Sequence, residues 1–279
     1  PTTPAQDSAT NPPRRVAANG SPSQLLTLQR APFAVRVLNN TTFGATATSI
    51  AEFNALGAND TARLTAFVDQ QLDPAAIDDS AFDARLTAAG YTTLNKSLSQ
   101  LWADHVAPDP VWEIRMRPAW EVQRSALARA MHSKRQLQET MVNFWHNHFN
   151  VDASQLVPVA ATLPIYDREV IRRHALGNFR AFLEAVATST AMQYYLNNRS
   201  SRAGSANENY ARELFELHSF GRENYLNEFY NRWREVPGAL KGQPKGFIDQ
   251  DVYEAARAFT GWTVEDGSGL GGVDRLPSS

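Results

Sequence analysis

From about residue 24 to residue 261, apolar residues recur at helical spacing, and the runs stop at Gly90, Gly177, Gly221 and Gly261. No segment between these bounds reads as a β-hairpin. The periodicity predicts helices over 24–39 (broken at Pro32), 48–56, 60–72, 80–89, 95–106 and 112–132, the last strained at Pro118. Ser133-Lys134-Arg135-Gln136 has the letters of a capping box and predicts a helix through about Phe149. Further helices are predicted over 165–176, 178–197, 206–220 and 249–261. Irregular loops are expected near 150–164, 198–206 and 236–246. The expected fold class is all-α: a single irregular multi-helix domain with long loops and no internal repeat.

Composition narrows the function classes. The 279 residues include no cysteine, which excludes disulfides, thiolate metal sites and cysteine nucleophiles. Net charge is −2, so no global basic excess points to nucleic acid. No apolar run approaches the roughly 18–20 residues that span a bilayer. Residues 1–23 are rich in Pro, Thr, Ser and Ala and are expected to form a disordered, flexible leader or stalk. The start at Pro1 fits a processed or partial chain. Residues 266–279 are Gly/Ser-rich and are expected to be a loop or tail. The helical domain is therefore expected over 24–265, as the front part of a longer one.

Three segments carry dense aromatic and polar residues: Met141–Phe149 (MVNFWHNHF), Asn207–His218 (NENYARELFELH) and Asp251–Thr263 (DVYEAARAFTGWT). On a continuous helix, residues two apart point about 200° apart, so His146 and His148 can converge on one ion only if the helix ends near Trp145 and the chain becomes extended. His148 shares a stripe with Leu137, Met141, Phe144 and Trp145, which is expected to face inward. His146 shares a polar stripe with Glu139 and Asn143. In the second segment Asn209, Glu213 and Glu216 form another polar stripe, and Glu208 and Arg212 an i,i+4 pair.

Three readings of these stripes stand side by side. They are solvated faces. They converge across a cleft where histidine and carboxylate groups hold a divalent metal, with His146, His148 and Glu213 as ligands. Or Asn and Arg side chains tie them into an all-protein hydrogen-bond network. HExxH, the two-His-one-carboxylate spacing and paired ExxH are all absent, as are GxSxG and the phosphate-binding glycine loops. The residues to test for catalysis are Glu139, His146, His148, Asn209 and Glu213. The two segments are expected to pack together around a polar centre, with His146 serving as a network residue.

The three segments, with Arg36–Thr46 (RVLNNTTFGAT) and His174–Arg180 (HALGNFR), resemble in order the bacterial DUF1800 family, a domain of unknown function. The resemblance runs from about 34 to 264. It implies export, to the periplasm, cell surface or outside, and a DUF1501-type, sulfatase-like partner. This chain departs from the family pattern at Arg222–Lys245, an inserted stretch bearing Tyr, Trp and Arg. Two functions follow as expectations: metal-assisted hydrolysis of an envelope or extracellular polymer, or a non-enzymatic surface structural or assembly role, self-assembly included.

Overall fold

The computed structural model describes residues 30–154 and 156–265. The leader and tail proposed at 1–23 and 266–279 lie outside the described residues. The chain divides into two units, residues 1–32 and 33–279. Every described helix falls in the second unit.

It is all-α. Twelve α-helices occur among the described residues, and β-pairing there is limited to two isolated bridges. None of the described helices is long and apolar enough to cross a membrane. The first three, α1 (Phe33–Thr41), α2 (Ala47–Ala55) and α3 (Asp60–Leu72), close a small core of Leu38, Phe53 and Phe67. Polar caps set their starts: Thr46 and Ser49 form a capping box on α2, and Asn59 accepts from the Ala62 N–H of α3.

Helices α4 (Ser80–Ala88), α5 (Leu98–His105), α6 (Trp112–His132) and α7 (Gln136–His148) follow. Pro118 sits inside α6 and has no N–H to give the Ile114 carbonyl. The buried His105 fills that gap: its Nδ1 donates to Ile114 O at 2.6 Å. The proline strain expected in α6 is thus absorbed by a histidine from α5. Glu121, buried on the same helix, accepts from the backbone N–H and hydroxyl groups of Thr92 and Thr93. Burial pushes its pKa up, and these bonds outweigh it, leaving the carboxyl below its ordinary value.

The capping box at Ser133 does not form. The Ser133 hydroxyl donates to Asp79 Oδ2 at 2.6 Å, and α7 starts after Arg135 with no side-chain cap. A buried carboxylate at the start of α4 outcompetes the local helix end.

The expected loop at 150–164 is instead largely a helix, α8 (Val157–Ile165), packed most closely against α6, α10 and α5. Val159, Ala160 and Ala161 are fully enclosed. A segment apolar on every side shows no amphipathic period, and Pro158 and Pro164 read as breakers, so the sequence pattern conceals it. Small side chains here let neighbouring helices approach. Past Pro164 the helix widens to π spacing over Tyr166–Arg172.

The expected single helix over 178–197 is two, α9 (Phe179–Thr188) and α10 (Thr190–Tyr195). They are broken at Ser189, whose extended backbone lets its hydroxyl cap α10. Helix α11 (Asn209–Glu213) passes into a second π segment, Leu214–Ser219. The inserted stretch forms short 3₁₀ turns before α12 (Asp249–Ala258). Its ends are pinned together: Leu226 N donates to Phe247 O, and Phe247 N to Asn224 O.

Candidate functional site

Within the polar stripe of α7, Glu139 is buried and His146 half-buried while Asn143 is exposed, and part of the expected apolar stripe faces out. Glu139 is 4 % exposed and Phe144 52 %. The cause lies on the neighbouring π segment. Residues five apart on an α-helix point about 140° apart, but a π turn sets them one above the other. Asp167 and Arg172 therefore meet, Arg172 Nε donating to Asp167 Oδ2 at 2.8 Å. Arg172 Nη1 lies 2.9 Å from both oxygens of Glu139. His146 Nε2 donates to Asp167 Oδ1 at 2.9 Å. Arg129 of α6 adds a longer contact to Glu139, at 3.7 Å.

The result is a chain of alternating charge, Arg129–Glu139–Arg172–Asp167–His146, in the wall of the main core. Burial pushes the Asp167 pKa up, but Arg172 and the His146 bond overcome it and hold the carboxyl at about 2. The same carboxylates hold the Arg172 guanidinium charged against its burial. Burial and the Arg172 charge pull the Arg129 pKa down, against Glu139 and Asp167. Two carboxylates balance two guanidinium groups, so the buried charge is compensated.

With Nε2 held by Asp167, the Nδ1 atom of His146 reaches the surface without a protein partner among the described residues. A divalent ion there finds one imidazole nitrogen. Both oxygens of Asp167 and of Glu139 are already bonded to Arg172 or His146. No group of three or more His, Asp or Glu side chains that could hold a metal exists among the described residues. The donor set at His146 does not fit a divalent metal.

The other candidates lie in separate environments. His148 points to the second motif: its Nε2 donates to His218 O at 3.3 Å, and its ring stacks on Phe144. Asn209 donates to Leu196 O. Glu213 makes no hydrogen bond or ion pair among the described residues, and burial, with Glu216 nearby, raises its pKa against Arg212. The first and second motifs do meet, but at His148, Phe149, Tyr210 and His218. The polar centre at His146 draws instead on Asp167, Arg172 and Arg129, which sequence reasoning missed. Their signal was a charged Asp-Arg-Glu in a long apolar stretch; the five-residue Asp167–Arg172 spacing matches no α-helical pair.

The second π segment also shifts register. On an α-helix Leu217 continues the Tyr210 face; with one residue gained, His218 takes that place. His218 is 4 % exposed and Leu217 57 %. Burial, then His148, lowers the His218 pKa to about 4.

Beside this helix the insertion builds a cleft of about 520 Å³, lined by Phe215, Phe220, Tyr230, Trp233 and Phe247 among others. Gly246 lines it, and Gly238 turns the chain between the lining residues Val236 and Ala239. A Cβ on Gly246 (φ +81°) would lie 2.3 Å from Asn224 O, and one on Gly238 (φ +83°) 2.0 Å from Gln243 O. Arg212 ties α11 to the start of α12, paired with Glu208 and with Asp249, which also accepts from Tyr225 Oη.

The chain belongs to the DUF1800 family, described as a protein of unknown function, whose model matches residues 36–275. No curated protein and no solved structure matches it.

Proposed function

We propose that this DUF1800 protein is an exported, non-enzymatic binding or assembly protein whose working surface is the aromatic cleft formed by the second π segment, the inserted stretch and the start of α12. The observation that carries this reading is the cleft itself. Its volume falls within the about 300–1,000 Å³ of small-molecule sites, and exposed rings of Trp233 and Phe220 stand at it. The rival set of Glu139 and His146 is bonded into a compensated network and serves as frame. Export and a DUF1501-type partner are supported by the family resemblance. Trp233→Ser combined with Phe220→Ser tests the reading with aminoanthracene, an uncharged probe that fluoresces in apolar sites. The native chain is expected to bind it and the variant to lose that binding at unchanged helicity. A native chain that leaves the probe dark overturns the reading.

Metal-assisted hydrolysis of an envelope polymer is the lesser reading, because His146 offers a metal a single imidazole nitrogen and no second donor. Metal content of native protein and of His146→Ala decides it.

A further inference from the structure

We propose that the cleft takes a single-chain anionic amphiphile: a hydrocarbon chain in the cavity, with its acidic head among Arg234, Lys241 and Lys245. This inference rests on the binding reading above and adds the chemistry of the ligand.

The body of the ligand follows from the lining. Phe215, Phe220, Leu226, Val236 and Phe247 present hydrocarbon. Most polar side-chain atoms at the wall already have partners among the described residues, the Trp233 indole N–H and Asp251 Oδ1 excepted. Tyr230 Oη donates to Gln250 Oε1, Gln250 Nε2 donates to Glu254, and Asp251 Oδ2 accepts the Ile248 N–H. A sugar or a peptide backbone would bring more donors and acceptors than the Trp233 N–H and Asp251 Oδ1 can match, each unmatched one carrying a desolvation penalty. A hydrocarbon chain brings none.

The head follows from charge. Trp233, Ala239, Pro244 and Gly246 line the cleft, and the exposed cations sit between or beside them in the chain. Arg234 lies over the Trp233 ring, 5.4 Å from its centroid. Arg234, Lys241 and Lys245 make no ion pair among the described residues, whereas the one acid between Trp233 and Gly246, Glu235, is paired with Arg232 at 3.0 Å. The stretch of chain that builds the cleft thus carries three exposed cations without an ion pair among the described residues, against one carboxylate in the lining, Asp251. A carboxylate or a phosphate satisfies them equally.

The test is displacement of aminoanthracene from the full chain by monomeric dodecanoate, dodecyl phosphate, dodecanol and dodecyltrimethylammonium, all below micelle formation. Both anions are expected to displace the probe about tenfold more tightly than dodecanol, and the cation to be weakest. Lys241→Glu with Lys245→Glu should abolish the anion preference while leaving aminoanthracene bound. Equal displacement by dodecanol and dodecanoate overturns the inference and leaves the cleft reading standing. Failure of the probe to bind overturns the cleft reading itself. Unchanged anion affinity in the charge-reversed variant overturns the assignment of the head. Binding to vesicles of anionic lipid without displacement by monomeric dodecanoate replaces the inference with membrane docking.

Discussion

Asp167 and Arg172 lie five residues apart and meet at 2.8 Å, because the helix between them runs with π spacing. That one widened turn aims both side chains at α7, where Glu139 and His146 receive them. The network is strong as a set and fragile to the loss of any member. Replacing Arg172 by Leu leaves two buried carboxylates facing each other. We expect a loss of about 3–5 kcal/mol in chemical denaturation. Restoring charge balance with Arg172→Leu and Glu139→Leu together should recover part of it. A double variant no better than the single would show that the pairing is not what matters.

His146 at the end of the chain should behave as a structural group. His146→Ala removes a bond to an ionised carboxylate and should lower stability by about 1.5–3 kcal/mol. Elemental analysis should find the same metal content in native and variant protein. Loss of a bound metal on substitution, with stability unchanged, would favour the hydrolytic reading.

Acid should unfold the protein in two windows. The buried His218 titrates at about 4, below its ordinary 6.5, so the unfolded chain takes the proton first as pH falls. Stability is full above about 6.5 and is lost from there down to about 4, by about 3 kcal/mol. Asp167, held at about 2 against an ordinary 3.8, adds a loss of about 2 kcal/mol below that. His218→Phe should flatten the upper window and leave the lower one. An unchanged profile between pH 6.5 and 4 would remove His218 from this account.

His105 and Pro118 should be coupled. With Pro118 in place, His105→Phe strands the Ile114 carbonyl and should lower stability by about 1–3 kcal/mol. In a Pro118→Ala background the alanine N–H supplies that carbonyl, so the same substitution should do less harm. A double-mutant cycle reads the difference directly. Additive effects would disprove the coupling.

Gly238→Ala should damage the cleft and spare the rest. The turn needs φ +83°, and the new Cβ would collide with Gln243 O. Aminoanthracene binding should fall at least about tenfold, a loss of about 1.4 kcal/mol or more. The main thermal transition, set by the core around α8, should move by less than it does for Arg172→Leu. Intact probe binding would mean that this turn does not shape the cleft.

The sequence alone determined the helical class, the boundaries at Asn59, Gly90 and Asp249, and the kinship carried by its five motifs. Each is a local property: a cap, a stop or a period can be read from a few neighbouring residues. It also marked Glu139 and His146 as one stripe. Three things were decided only by the tertiary structure. Helix α8 is apolar all round, so its order comes from the helices that enclose it and no amphipathic period marks it. The two π segments each move one register position, which buries His218 in place of Leu217 and turns Asp167 toward Arg172. Ser133 gives its hydroxyl to Asp79, 54 residues away, and leaves its own helix uncapped. In each case a buried partner distant in sequence outweighed the local preference, because an unpaired polar group inside the core is costlier than an imperfect helix end or a widened turn.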